Sequence, residues 1–372
     1  MSEERIIAKM NNKKIIFIII VILVIIFVFG GVFGSVVWFN SKINPVDSSS
    51  TETKEIIIEQ GMTTIGIISK LKNEDLIQSE FATKVFIKIN NVGSLQAGKY
   101  ELSKSMNLEQ ILGAIANGNV VKEDVKITFQ EGKNMRWIAK KIASETSNSI
   151  EDVYKKLEDK EYISNLVEKY WFLTDSIQNE NIYYPLEGYL YPETYTFKNK
   201  DVTIEDIFQT LLDETDKVLT KYKSYIEKSQ YSVHEILTMA SIVEQEGNDV
   251  ESRRGIARVI LNRLEKKMPI GSDVTTYYGI KVDMGERNLT SKEINTYNVY
   301  NTRGPNMQGK LPVGPISSAS EESIKSVLGP SKNNYLYFVA DKNGKIYFSS
   351  TYEEHQKTIA ELKKQGLWYE YK

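Results

Sequence analysis

The chain has 372 residues, a formal net charge of −2 and no cysteine. Its length allows two or three domains, and its charge argues against a general nucleic-acid-binding protein, which carries a clear positive excess. The absence of cysteine excludes disulfides, thiolate catalysis and cysteine-ligated zinc, and the presence of only two histidines argues against a multi-histidine metal site.

An apolar stretch without any charge covers residues 15–39. As a helix it would be roughly 37 Å long, enough to cross a hydrocarbon core of about 30 Å with some tilt. A cleaved signal peptide is the alternative, but the stretch exceeds a typical apolar region of about 7–15 residues, and no small-residue cleavage site follows. Four basic residues precede it, so the positive-inside rule predicts a cytoplasmic tail over residues 1–14 and an extracytoplasmic remainder.

Polar, serine-rich residues 40–54 indicate a linker. After it we predict a short strand at Ile56–Ile58, a helix, a second helix over Ser79–Ile89 with Ser79 as N-cap, and a strand at Ala97–Ser103. This order of strand, helix, helix and strand is typical of a LysM-like module, which we assign to residues 55–120. A further helix is predicted at Leu108–Asn117, and a domain boundary is predicted near Val120.

The opening unit of this module recurs in weak form. IIIEQGMTTIGIISKL (Ile56–Leu71) parallels ITFQEGKNMRWIAKKI (Ile127–Ile142): each has an apolar run, a Glu/Gln pair, a glycine and an amphipathic helix. The glycines, Gly61 and Gly132, favour a sharp turn from strand to helix because glycine tolerates unusual φ values.

Residues 121–372 show mixed α and β patterns, so the whole chain is predicted to be α+β. Helices are predicted at Met135–Ser144, Ile150–Leu157 and Ile204–Lys228, and a hairpin is predicted around Lys342-Asn343-Gly344. The tyrosine-rich stretch Tyr183–Phe197 contains two prolines and indicates a structured loop. Its aromatic side chains could pack against sugar rings or fill a core.

Two glutamates, Glu244 and Glu246, end an apolar run. Ser232-Val-His-Glu235 is typical of a capping box, so a helix should begin there and stop at Gly247, followed by a second helix over Glu251–Lys267. One interpretation is a frayed last turn with both acids in water. The other is a general acid, because a carboxyl beside apolar groups is desolvated and its pKa rises.

The residues around this helix carry a resemblance to a known family. ASIVEQEG, followed by RRGIARVILNRLEKKMPIGSDVTTYYG, closely resembles the signature of the endolytic murein transglycosylases, the YceG-like or MltG family. Further blocks follow the same order along the chain: LEGYLYPETY, YNVYNTRG, LPVGPI, YLYFVA and FSSTYEEHQK. The resemblance covers nearly the whole chain after the linker.

This resemblance implies a membrane-bound lyase that cuts nascent peptidoglycan glycan strands at the β-1,4 bond from N-acetylmuramic acid to N-acetylglucosamine. The catalytic acid would be Glu244. Glu246 would either lie beside the substrate or support Glu244 without contacting the substrate. It also suggests cell-wall synthases as partners and a role in terminating strand elongation. Other candidate substrate-binding residues fall in the matching blocks: Asn262, Arg263, Asp273, Thr275, Tyr278, Tyr297, Asn298, Gly314 and Pro315.

The chain departs from the family pattern at three places. Val274 stands where many members have proline, Pro305–Lys310 resembles an insertion, and Ser317–Ser320 replaces a common proline-containing turn. These changes affect loop shape and leave the glutamate block intact.

A lytic transglycosylase can work with one carboxyl, whereas a glycoside hydrolase of the usual kind needs two. We expect Glu244 to protonate the leaving oxygen and then to accept the proton of the muramoyl 6-hydroxyl, which closes on C1 and leaves a 1,6-anhydro end. No metal or cofactor is expected. The principal alternative is a non-catalytic LysM-type wall-binding or scaffold protein. A serine hydrolase is a poor third hypothesis, since the chain has no G-x-S-x-G motif.

Overall fold

Helix α1, Glu3–Lys42, contains the apolar stretch predicted to cross a membrane. The computed structural model describes residues 3–118 and 124–368. Within α1, Ile16–Lys42 is long and apolar enough to span a bilayer, and none of its most apolar window is buried. An N-terminal apolar helix is therefore confirmed.

The chain divides into two units, residues 1–122 and 123–372, and the boundary predicted near Val120 lies outside the described residues. In the first unit, strands β1 (Thr53–Ile58) and β2 (Gly98–Ser103) pair antiparallel. Helices α2 (Thr64–Asn73) and α3 (Glu80–Ile89) lie between them in sequence, and α4 (Leu108–Ala116) follows. The predicted order of strand, helix, helix and strand is present, and Ser79 caps α3 as expected.

The second unit combines helices with two further two-stranded antiparallel sheets. One sheet joins β3 (Val125–Thr128) to β4 (Thr194–Phe197), and the other is the predicted hairpin of β5 (Tyr337–Ala340) and β6 (Ile346–Ser349). The helices are α5 (Met135–Glu145), α6 (Ile150–Glu158), α7 (Lys160–Lys169), α8 (Ile204–Lys228), α9 (Val233–Glu246), α10 (Val250–Glu265), α11 (Asp273–Gly279), α12 (Ser291–Ile294), α13 (Glu321–Leu328) and α14 (Tyr352–Lys364).

Helix α9 forms the centre of the second unit. The predicted capping box is present: the Ser232 hydroxyl accepts a hydrogen bond from the backbone N–H of Glu235, and the Glu235 carboxylate accepts one from the N–H of Ser232. Every residue from Ile236 to Val243 is buried, and α10 and α13 both pack against α9. Burial on all sides explains why this helix is apolar over most of its circumference.

Helix α10 holds the chain that follows α13 through a row of side chains. Each of them donates to a backbone carbonyl between Gly329 and Leu336, so the row fixes an irregular segment along the helix. The pairs are Arg254 to Gly329 (2.9 Å), Arg258 to Ser331 (2.7 Å), Asn262 to Tyr335 (2.9 Å) and Arg263 to Leu336 (2.6 Å). Three of the four side chains in the row are arginines, so their guanidinium groups are hydrogen-bonded along this segment.

The tyrosine-rich stretch Tyr183–Phe197 is mostly turns and ends in β4. Tyr189 and Tyr195 are buried in the core of the second unit. The Tyr189 hydroxyl lies 2.8 Å from Nδ1 of His234. Of the two roles considered for these aromatic side chains, filling the core is the one seen for Tyr189 and Tyr195.

The two similar segments share the same backbone turn. Gly61 and Gly132 have φ values of +85° and +71°, in the left-handed region that favours glycine. Each glycine follows a strand and precedes the N-cap of a helix, α2 in one copy and α5 in the other.

Replacing Ser232 with alanine removes the side-chain acceptor at the N-terminus of α9. We expect the free energy of unfolding to fall by about 1 kcal/mol, the usual cost of losing such a cap. Thermal unfolding of the detergent-solubilised full chain would measure this change. The matched control is Ser224→Ala, an exposed position inside α8 where alanine is expected to be neutral or slightly stabilising. An equal loss of stability in both variants would contradict the role assigned to the cap.

Candidate active site

The last turn of α9 places the Glu244 side chain at the junction with α10 and α13. Its side chain is only 5% exposed, and Oε1 accepts a hydrogen bond of 2.7 Å from the Arg253 guanidinium on α10. The other oxygen, Oε2, accepts from the backbone N–H and the hydroxyl of Ser320 and from the Ser323 hydroxyl, at 2.9, 2.5 and 2.7 Å. Ser320 is the N-cap of α13, where an anion is favoured by the helix dipole.

These contacts differ from both interpretations of the sequence. Glu244 is not in a frayed turn exposed to water, because its side chain is buried and hydrogen-bonded. The apolar surroundings expected for its carboxyl group are also wrong. The apolar residues of α9 lie before Glu244, whereas α10 and α13 present a guanidinium and two hydroxyls to its oxygens.

Glu246 occupies a different environment, at the start of α11. Its Oε1 accepts a hydrogen bond of 2.6 Å from the Ser272 hydroxyl. Burial raises the pKa of Glu246, the Asp273 carboxylate adds to the rise, and the Ser272 hydrogen bond and Arg303 oppose it. Asp273 in turn forms an ion pair with Arg303. Glu246, Asp273 and Arg303 therefore form one charged group around Ser272.

Two more of the predicted residues lie on α11. Thr275 is fully buried and its hydroxyl lies 2.8 Å from that of Thr302, so it fixes the chain beside Ser272. Tyr278 is buried and donates a hydrogen bond of 2.9 Å to Glu187. Both side chains therefore bind other protein groups at the edge of the site: Thr275 contacts Thr302, and Tyr278 contacts Glu187.

The remaining predicted residues bind other parts of the protein. Asn262 and Arg263 donate to backbone carbonyls of the segment beside α10. Asn298 donates to the Tyr183 hydroxyl, and Tyr297 is 53% exposed. The last two predicted residues, Gly314 and Pro315, are packed closely against other residues. A β-carbon built on Gly314 would lie 3.3 Å from Cε1 of His234. Pro315 packs against Gly188, since a β-carbon built on Gly188 would lie 2.3 Å from Cβ of Pro315.

Glu187, in the block LEGYLYPETY, is a further buried carboxyl that was not among the predicted site residues. Both of its oxygens accept from the backbone N–H of Met135, at 2.9 and 3.0 Å, and one accepts from Tyr278. Burial raises the pKa of Glu187 to about 7, and these hydrogen bonds and nearby Arg136 oppose the rise. A buried carboxyl between two elements could be found only from the fold, because nothing local in its sequence marks it.

A cleft of about 200 Å³ opens beside Gln245, the residue that follows Glu244. It has basic, aromatic and amide side chains, which suit a polar ligand with ring faces. Its lining includes Lys133, Asn134, Arg136, Trp137, Tyr277 and Tyr278. Within residues 3–118 and 124–368, no group of three or more His, Asp or Glu side chains is placed to hold a metal ion.

Comparison with known proteins identifies the family, since residues 56–361 match the YceG-like family. The chain belongs to the YceG-like family. It is 37% identical over 332 residues to an endolytic murein transglycosylase of Bacillus subtilis (strain 168), with 89% of each protein covered. It is 32% identical over 350 residues to an endolytic murein transglycosylase of Streptococcus pneumoniae serotype 2, covering 89% of this chain and 62% of that protein.

A solved YceG-like structure is also similar. The crystal structure of a putative YceG-like protein from Listeria monocytogenes matches with a TM-score of 0.59 and 36% identity. The match covers 83% of this chain and 100% of that one.

The stretch Ser317–Ser320 lies directly at the site. It supplies the N–H and the hydroxyl of Ser320 that bind Glu244. Ser318 also exchanges backbone hydrogen bonds with Gly132 and Lys133, at 2.8 and 2.9 Å. This YceG-like chain therefore uses the serine stretch to hold the candidate acid.

The pKa of Glu187 predicts how stability depends on pH. Because its folded value of about 7 exceeds the ordinary value of 4.5, the folded protein keeps a proton that the unfolded chain releases. The Glu187 contribution to stability therefore falls as pH rises from 4.5 to about 7 and is constant above. Glu187→Gln should gain stability relative to wild type across this window, by up to roughly 3 kcal/mol at about 1.4 kcal/mol per pKa unit.

Chemical denaturation of the full chain at several pH values tests this expectation. Glu168→Gln, which removes an exposed carboxyl on α7, is the control. A difference between Glu187→Gln and wild type that is independent of pH would show that Glu187 does not titrate in this range.

Proposed function

We propose that this protein is a membrane-anchored lytic transglycosylase that cleaves the β-1,4 bond from N-acetylmuramic acid to N-acetylglucosamine within nascent peptidoglycan strands, leaving 1,6-anhydro ends. The observation that carries the proposal is Glu244, a carboxyl group at the end of α9 that is held by α10 and α13 and is followed in sequence by Gln245, which lines a cleft. The name endolytic murein transglycosylase, carried by relatives that align over 89% of the chain, supports the same activity.

Glu244 is proposed to act first as an acid and then as a base. It protonates the glycosidic oxygen while positive charge develops at C1 of the muramoyl ring. The resulting carboxylate then takes the proton from the 6-hydroxyl of the same ring, and the 6-oxygen closes on C1. The glycosidic bond is exchanged for the 1,6-anhydro bond, no water is consumed, and Glu244 ends the cycle protonated again.

The partners of Glu244 fit this sequence of steps. The Arg253 guanidinium and the hydroxyls of Ser320 and Ser323 all donate hydrogen bonds to the Glu244 oxygens, which are the atoms that give and take the proton in both steps. They also fix both oxygens, which orients the carboxyl group for two proton transfers on one face of the sugar.

The cleft beside Gln245 is proposed to hold the glycan strand. Trp137 and Tyr277 offer ring faces for pyranose rings, and Lys133, Asn134 and Arg136 offer donors for hydroxyl, amide and carboxylate oxygens. Glu246 is proposed to support the site without transferring a proton itself, because it fixes Ser272 at the start of α11.

The N-terminal region is proposed to keep the enzyme at its substrate. Helix α1 would cross the membrane once with residues 1–14 in the cytoplasm, and both the module of residues 55–120 and the catalytic unit would lie outside. We propose that this module is LysM-like and binds glycan. The order of its elements, strand β1, helices α2 and α3, and strand β2, supports this proposal. Termination of strand elongation beside cell-wall synthases is the role proposed for the whole protein.

Mass spectrometry of glycan strands digested by the full-length protein tests the reaction. We expect 1,6-anhydro ends, whereas reducing ends that have gained water would indicate a muramidase. Glu244→Gln should lower the rate at least about 100-fold, because general acid–base catalysis contributes factors of about 10² to 10⁴.

Glu246→Gln is the matched control, since it removes a carboxyl group from the same helix turn. Its rate should fall by less than about 10-fold, because Glu246 contacts Ser272 rather than the partners of Glu244. A Glu244→Gln protein that cuts normally would refute the assigned acid. Binding of wild-type protein to strands without any cleavage would favour a non-catalytic wall-binding protein.

The absence of cysteine allows a clean test of membrane orientation. We expect a membrane-impermeant maleimide to label Ser48→Cys in intact cells, because the linker follows the membrane span. Glu4→Cys should be labelled only after the cells are lysed. The cysteine-free wild type is the control for background labelling, and the opposite pattern would reverse the proposed orientation.

A further inference from the structure

The end of helix α1 packs into the core of the module that follows it. Phe39 and Ile43, in the last turns of α1 and just after it, lie against the buried residues of this module. The Leu108 N–H donates a hydrogen bond of 2.9 Å to the Ile43 carbonyl. The Asp47 N–H donates one of 3.0 Å to the Lys104 carbonyl. Helix α1 and the module therefore form one packed structure.

The beginning of α3 makes a second attachment to the end of α1. The Gln78 side chain donates to the backbone carbonyls of Asn44 and Pro45, at 3.3 and 3.0 Å. In the first turn of α3, the Phe81 ring lies beside the Trp38 ring of α1, with the ring centroids 6.1 Å apart. Helix α3 thus starts next to the last turns of the apolar helix.

This ring contact places Phe81 at the depth of Trp38. The apolar span begins at Ile16, and a helix from there to Trp38 rises roughly 33 Å, which matches a hydrocarbon core of about 30 Å. Trp38 would then lie at the outer interface, where tryptophan is enriched in membrane proteins. Phe81 is 65% exposed, so most of its ring is open to whatever surrounds Trp38 at that depth.

The exposed face of α3 has the composition of a helix that contacts lipid headgroups. Lys84 and Lys88 follow Phe81 at spacings that put all three side chains on one face, and all three are exposed. Ile89 beside them is exposed as well. The ion pair of Lys84 with Glu80, at 3.7 Å between two exposed side chains, is a weak one. Lysines attract anionic headgroups, and an apolar ring enters the boundary between headgroups and acyl chains.

The sheet of the module supplies a face for comparison. Ile56 and Ile58 of β1 share a core with Phe86 of α3, so the helices cover one side of the sheet. Ile57 and Glu101 alternate with the inward residues of β1 and β2 and are exposed on the other side. The exposed face of α3 and the outer face of the sheet therefore point away from their common core in different directions.

We propose that the face of α3 formed by Phe81, Lys84 and Lys88 binds the surface of the bilayer from which α1 emerges. Its partner is a layer of lipid headgroups, with phosphate oxygens for the lysines and the acyl-chain boundary for the phenylalanine ring. The inference rests on the proposed membrane span and adds a second membrane contact to it. The module is then part of the anchor, and any strand that it binds is held close to the membrane.

Lipid quenching of a fluorophore tests this contact in the full-length protein. Because the wild type lacks cysteine, Lys84→Cys and Glu101→Cys can each carry a single label. The proteins are reconstituted into nanodiscs of phosphatidylglycerol and phosphatidylcholine in which some headgroups bear a nitroxide. We expect several-fold more quenching at Lys84→Cys than at Glu101→Cys, because nitroxide quenching falls steeply with distance. Equal quenching at the two positions would overturn the inference.

A second substitution in the labelled Lys84→Cys protein tests the role of the ring. Phe81→Glu places a charge at the lipid boundary and should remove most of the excess quenching. Ile57→Glu is the matched control, since it adds the same charge at an exposed apolar position on the outer face of the sheet, and it should keep the quenching. An equal loss in both variants would contradict the assigned face. Equal thermal unfolding of Phe81→Glu and its parent would confirm that the loss is not a folding defect.

The outcomes separate this inference from the proposed function. If added glycan strands protect the label at Lys84→Cys while lipid quenches it no more than at Glu101→Cys, the face binds glycan and the inference falls. The proposed cleavage, measured by its 1,6-anhydro ends, would then still stand. If Ser48→Cys and Glu4→Cys are labelled from the same side of the membrane, the proposed span falls and this inference falls with it.

Discussion

The arrangement of the second unit depends on how one carboxylate is held. Glu244 leaves the end of α9 at the point where Arg253 of α10 and the N-terminus of α13 converge, and each of its oxygens has a partner from a different helix. A buried charge is tolerated only when it is paired and hydrogen-bonded, so these contacts are a condition of the helix packing as well as of the proposed chemistry. The protein therefore joins three helices at the group that is proposed to react.

The parts of this arrangement that follow from local patterns could be predicted. Three predicted features are each specified by residues a few positions apart, and the structure has them all. They are the capping box at Ser232, the N-cap at Ser79 and the hairpin of β5 and β6. The sequence also indicated that the segment VEQEG is important, because an apolar helix that ends in two acidic residues is unusual. The choice of Glu244 over Glu246 came from the family resemblance.

The surroundings of those acids could not be predicted, because they depend on distant parts of the chain. Ser320 and Ser323 lie 76 and 79 residues from Glu244 and belong to a helix that no local pattern indicated. Glu187 binds the first turn of α5 from 52 residues away. Most of the residues taken from the family blocks turn out to bind backbone or core groups, as Asn262 and Arg263 do. A sequence motif identifies important positions, but it does not show whether their side chains contact a substrate or another part of the protein.

The row of side chains along α10 has a consequence for how the molecule is completed during synthesis. Arg254 and Arg258 donate to carbonyls within residues 329–336, and Arg263 donates to the Leu336 carbonyl there as well as to that of Ile270. Until that segment has been synthesised, the helix that brings Arg253 to Glu244 lacks the hydrogen bonds that tie it to residues 329–336. A chain whose synthesis has not reached these residues would thus carry an unfinished site, and the proposed cutting activity would begin only after they are made.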